Sequence, residues 1–137
     1  IDLTFNYWMS HRPRKCMFEK RAVVVSTAAG VGTDSAIKDV STALGYWGIS
    51  DITKYGVSIQ AINWDMVSEK KKQQIEKATD KIAGKLSTGK KPKVSLKTKA
   101  LFGIMRMMQV KNMGSGEADK NYWEENGWTS GNRPWKN

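Results

Sequence analysis

The chain has 137 residues, 39% hydrophobic and 26% charged, which allows one domain with a modest core and excludes two domains of ordinary size. Its one Cys, Cys16, and one His, His11, exclude a disulfide framework, a thiolate zinc site and a multi-histidine metal centre. The net charge is +10, and no apolar run approaches the roughly 20 residues that span a bilayer. The first residues also lack the basic-then-apolar layout of a signal peptide, so the chain reads as a soluble, cytoplasmic protein with no membrane partner.

Ile1, Phe5 and Trp8 or Met9 follow helical spacing from the first residue, which predicts an opening helix and further chain upstream of Ile1. Pro13 disfavours helical geometry at Arg12 and ends that helix within His11-Arg12-Pro13-Arg14. Lys20 to Thr27 holds a continuous Val run, the pattern of a strand buried on both faces in a parallel sheet. A helix follows from about Asp34 to Trp47, with Ile37, Val40, Leu44 and Trp47 on one face, Thr33 or Asp34 as its cap and Gly48 as its stop. Alternation at Tyr55, Val57, Ile59 and Ala61 predicts a second strand within Thr53 to Ile62. A long helix from about Met66 to Leu86 turns Ile75, Ala78, Ile82 and Leu86 inward.

Ser87 to Val94 has the composition of a linker, and Leu96 to Val110 reads as another helix with Ala100, Leu101, Ile104, Met105, Met107 and Met108 as its apolar set. So broad an apolar set predicts packing against the sheet layer or a neighbouring subunit. Asp119 to Asn137, with Trp123, Trp128 and Trp135, reads as a short helix followed by irregular chain. The order of helices and strands up to residue 86 is the βαβ grammar of a parallel α/β sheet.

Most of the excess charge is local. Residues 70 to 99 hold eleven Lys against Glu76 and Asp80. Such a stretch suits a nucleic acid, an anionic membrane or an acidic partner through counterion release. It equally suits a solvated helix face and a Lys-rich linker, and the absence of interleaved aromatic or Arg side chains favours that reading over nucleic acid.

The segment with most chemical content is Ser26, Thr27, Ala28, Ala29, Gly30, Val31 and Gly32, a small-residue loop between a strand end and a helix start. In open α/β sheets ligands bind at the carboxyl ends of strands, and small side chains let a flat aromatic ligand approach the backbone. The loop is neither a Walker loop nor a dinucleotide fingerprint. Trp64 is placed at the end of the second strand, in the layer a ligand would occupy. His11, Arg12 and Arg14 form either an anion-binding group or an ordinary basic loop, Cys16 beside Lys15 reads as a spectator thiol, and Asp34 as a cap. No side chain stands out as a catalytic acid, base or nucleophile.

Taken in order, His11-Arg12-Pro13, Met17-Phe18, Lys20, Ala22 to Gly30, Lys38-Asp39, Leu44 and Trp47-Gly48 resemble the second half of the flavodoxin-like NAD(P)H-dependent FMN reductase family. Arg106-Met107-Met108, Asp119, Tyr122-Trp123 and Gly127-Trp128 resemble the tail of some bacterial members. The resemblance implies the C-terminal part of a three-layer αβα sheet of order 2-1-3-4-5 across residues 1–89, with a Lys-rich linker and helical, aromatic extension across 90–137. It implies FMN as cofactor beside Ser26, Thr27, Ala28, Ala29, Gly30 and Gly32, NAD(P)H as cosubstrate, and a small-molecule electron acceptor.

The family's first three strands and phosphate loop have no counterpart among these residues. The resemblance therefore implies completion by an N-terminal half or by another copy in a homo-oligomer, with the isolated chain inactive and retaining little FMN. A non-catalytic electron-transfer or flavin-binding module is the alternative, and a basic interaction module a third.

Overall fold

Strand β1, Arg21–Ala28, and strand β2, Asp51–Ser58, pair in parallel and are joined in sequence through helix α1, Thr33–Tyr46, in the computed structural model, which describes residues 2–113 and 116–136. Three more α-helices follow: α2, Glu69–Leu86; α3, Leu96–Val110; and α4, Glu117–Glu125. Short 3-10 helices cover Asp2–Tyr7, Lys15–Glu19 and Trp64–Met66. The chain is a mixed α/β protein whose described sheet has two strands. The opening α-helix expected to reach Met9 is a 3-10 helix ending at Tyr7, and the Met9 amide donates to the Tyr46 carbonyl at 2.7 Å.

The Val run of β1 does not behave as expected. Val24 is buried, as is Val57 on β2, but Val25 is 58% exposed. A strand covered on one face shows period two whatever its composition, so the continuous apolar run overstated its burial. Helix α1 buries Ile37, Ser41 and Ala43, while Val40 remains exposed. At Gly56 a side chain would run into Thr33 and Ile37, which marks where α1 passes close over β2.

Two compact units divide the chain. One comprises Val23–Ser41 and Ile52–Lys90, with most of both strands and all of α2. Ser68 caps α2 by accepting from the Lys71 amide, and Lys71, Lys72, Ile75, Ala78 and Ile82 form its half-buried stripe. Leu86, expected to point inward, is exposed, and Lys85 reaches Thr53 of β2 at 3.0 Å.

The other unit joins Ile1–Ala22, Thr42–Asp51 and Lys91–Asn137, so the residues after 90 share a core with the first 22. That core is Met9, Phe18, Phe102, Trp123 and Trp128. Phe102 stacks on Trp123 at 4.8 Å and meets Trp128, Trp135 and Phe18 edge-on at 5.6, 5.1 and 5.8 Å. Such aromatic pairs add about 0.5–1.5 kcal/mol each beyond their buried area. The apolar breadth of α3 is thus partly spent on this chain's own core.

Ser95 caps α3 through the Thr98 amide, and Ser50 donates to Thr98 Oγ1 at 2.8 Å while accepting from the Ser95 amide at 3.1 Å. Gly48, after α1, has φ +102°, and a Cβ there would lie 2.8 Å from the Phe18 ring. The stop expected at Gly48 therefore serves both backbone and packing.

Candidate functional site

The small-residue loop leaves β1 at its carboxyl end. The Ile59 amide, just past β2, donates to the Ala28 carbonyl at 2.8 Å and carries the strand pairing into the loop. Beyond this pair open two adjoining clefts of about 440 and 490 Å³. Both are lined by Ala29, Ile59, Ala61 and Val67; Gly30 adds to the first, and Thr27 and Ala28 to the second. Their volumes fall within the roughly 300–1,000 Å³ usual for small-molecule sites.

The loop backbone is open to a ligand. A Cβ at Gly30 or Gly32 would meet nothing within 4 Å, and Gly32 has φ +106° just before α1. That backbone conformation belongs to glycine and lets the chain turn from strand into helix. Of the six residues predicted to bind cofactor, Thr27, Ala28, Ala29 and Gly30 line the clefts, whereas Ser26 and Gly32 line neither. Ser26 is half-buried within β1, and Gly32 is exposed.

The opposite wall was mostly missed. β2 stops at Ser58, so Trp64 lies beyond it, in a 3-10 turn where Asn63 Oδ1 accepts from the Met66 amide at 3.1 Å. That turn presents Ile62, Trp64 and Met66 at 93%, 54% and 62% exposure, an apolar rim. The Lys72 ammonium sits 5.8 Å from the Trp64 ring centroid and pairs with Glu69 at 2.8 Å. Ser68 and Lys71, from the first turn of α2, complete the wall. Lys71 is the one charged residue among the described cleft-lining residues. Asn63 three residues before Met66, and Ser68 three before Lys71, were sequence signals for this wall, since both positions read as caps.

The other flagged residues lie in the second unit or at the surface. His11, Arg12 and Pro13 engage α4: Asp119 Oδ2 accepts from the His11 ring at 2.7 Å, Arg12 Nε pairs with Asp119 Oδ1 at 3.1 Å, and the Tyr122 hydroxyl donates to the Pro13 carbonyl at 2.8 Å. The Trp123 indole N–H donates to the His11 carbonyl at 2.6 Å. Burial holds the Tyr122 phenol above its ordinary pKa, against the opposing pull of Arg14 and Arg12. Cys16 is an exposed free thiol. Glu19 is held below the usual carboxylate range by its 2.8 Å hydrogen bond to Lys91 and that group's charge.

Among the described residues no three His, Cys, Asp or Glu side chains converge as metal ligands, and no helix is long and apolar enough to cross a membrane. The arrangement as a whole is two adjoining clefts, one mainly polar with Ser58, Gln60, Ser68 and Lys71 in its wall, the other mainly apolar beside the exposed Trp64. No protein-family model, curated protein or solved structure matches the chain.

Proposed function

We propose that this chain is part of an FMN-dependent NAD(P)H oxidoreductase that passes hydride from the nicotinamide through the flavin to a small-molecule electron acceptor. Its frame is the C-terminal part of a flavodoxin-like three-layer sheet, completed by an N-terminal segment or a second copy. The observation that carries this reading is the small-residue segment Thr27 to Gly30, the last two residues of a parallel strand and the open turn after it, beside an apolar cleft with an exposed Trp64.

These residues suit a flat, partly polar ring. The space beside Gly30 and Gly32 lets a ring approach the backbone, the half-exposed Trp64 offers a stacking surface, and Lys71 supplies positive charge to the cleft. When bound, FMN would supply the redox chemistry, and the chain's own residues would position the ring. None of the described cleft-lining residues is a carboxylate, thiol or imidazole, consistent with a site that leaves the chemistry to its cofactor.

The test is a flavin-fluorescence titration of the protein carrying this chain, beside its Gly30→Val variant, followed by NADH and NADPH oxidation with a quinone acceptor. Saturable quenching that weakens at least tenfold in the variant, with turnover in the parent, is expected. Quenching without NAD(P)H oxidation assigns an electron carrier instead. Equal flavin affinity in parent and variant, or no binding by either, overturns the placement of FMN at this loop.

A further inference from the structure

We propose that the cleft bounded by Asn6, Tyr7, Arg12, Arg14 and Tyr122 binds a phosphoryl dianion, either free phosphate or the phosphate end of a nucleotide-sized molecule. The cleft has a volume of about 430 Å³, and each of these residues bears a polar head, two of them guanidiniums and none a carboxylate. It lies in a different compact unit from the Thr27 to Gly30 loop, so phosphate capture here and flavin binding there are separable by measurement.

The two Arg residues differ in what they have spare. Arg12 pairs through Nε with Asp119 Oδ1 at 3.1 Å, while its side chain stays 41% exposed. Arg14 Nη2 donates to the Tyr7 hydroxyl at 3.1 Å, and its guanidinium carbon lies 4.4 Å from the Tyr7 ring centroid. Both partners of Arg14 are neutral, so its charge meets no carboxylate among the described residues. The Tyr7 hydroxyl accepts from Arg14 and keeps its own proton for another acceptor.

The site is organised in advance. Pro13, fully buried between the two Arg residues, has its carbonyl held by the Tyr122 hydroxyl at 2.8 Å, and the Arg12 amide donates to the Asn6 carbonyl at 3.0 Å. A ligand therefore meets guanidiniums already oriented by an ion pair on one side and a ring on the other, which lowers the ordering cost of binding. Two planar forks of donors match the oxygens of a phosphate, which carries about −1.5 to −2 charge at neutral pH, better than those of a singly charged carboxylate.

The experiment is calorimetric titration of the chain at low salt with AMP, inorganic phosphate and adenosine. AMP is expected to bind at one site and be displaced by inorganic phosphate, and adenosine not to bind. Affinity for AMP at least tenfold above that for inorganic phosphate identifies a nucleotide-sized ligand, and near-equal affinities identify free phosphate. Arg14→Gln removes an exposed charge whose side-chain partner among the described residues is Tyr7; it should keep the parent's melting temperature and weaken AMP at least tenfold. Lys70→Gln, the same charge loss on the exposed face of α2, should change AMP affinity less than twofold. Equal weakening in both variants, undiminished binding in Arg14→Gln, or AMP that inorganic phosphate cannot displace would overturn the proposal.

Discussion

His11 and Asp119, 108 positions apart, are joined by a 2.7 Å contact between the imidazole Nδ1 and carboxylate Oδ2. The same carboxylate pairs with Arg12, and it stands in the first turn of α4, where a negative charge also complements the helix dipole. With Tyr122 and Trp123 it forms one helix face that grips the backbone and side chains of residues 11–13.

Asp119→Ala should therefore cost about 2–4 kcal/mol, because it removes the acceptor of the His11 ring and the counter-charge of Arg12 at a half-buried surface. Urea unfolding followed by tryptophan fluorescence measures it directly. A loss under about 0.5 kcal/mol would show that α4 docks by its aromatic residues alone.

A paired substitution isolates the role of Gly48. Gly48→Ala places a methyl 2.8 Å from the Phe18 ring at φ +102°, and should destabilise by about 2 kcal/mol or more. Gly45→Ala, inside α1 with nothing within 4 Å of its Cβ, should instead stabilise by roughly 0.5–1 kcal/mol. Equal shifts in melting temperature would refute the assigned difference.

Local pattern carried the elements well and their faces less well. The strand expected at Lys20 to Thr27 is β1 displaced by one residue, and the helix expected over Leu96 to Val110 is α3 at those bounds. Cap residues and breaks in period are local, so they survive in sequence. Which face of α3 is covered is not local. Ile104 and Met107, expected among its packing residues, are 51% and 49% exposed, whereas Phe102, which the apolar set left out, is fully buried.

The reason is that α3 is apolar nearly all round, so period alone cannot choose a face; the choice follows from Phe18, Trp123 and Trp128, contributed by distant segments. The candidate site divides in the same way. The small-residue run was legible, though Ser26, Thr27 and Ala28, expected in a loop, close β1, and the Trp64 to Lys71 wall depends on β2 ending at Ser58, short of the alternation that continues to Ala61.

The two faces of α3 give a direct check. Phe102→Ala removes the centre of the aromatic cluster and should cost about 3–5 kcal/mol. Met107→Lys on the exposed face should stay within about 0.5 kcal/mol of the parent. If Met107→Lys were as damaging as Phe102→Ala in chemical denaturation, that face would be covered in solution, and a change in sedimentation would reveal the neighbour.

The last prediction concerns alkaline pH. The Tyr122 hydroxyl donates to the Pro13 carbonyl, and burial raises its pKa from the ordinary value of 10.0. A group whose folded pKa lies above its unfolded one binds its proton more tightly when folded. Its contribution is therefore complete below the unfolded pKa and declines as pH rises from there through the folded pKa. At neutral pH, Tyr122→Phe should cost about 1 kcal/mol for the lost hydrogen bond, because the Pro13 carbonyl then has no described side-chain donor. Above about pH 10 the parent starts to lose stability through Tyr122 while the variant has no phenol there to ionise, so the gap between them should narrow. Taking the difference between the two proteins cancels the titration of every other Lys and Tyr in the chain. Urea midpoints at pH 7, 9, 10 and 11 test this, and a gap that stays constant or widens above pH 10 would contradict the raised pKa and the hydrogen bond together.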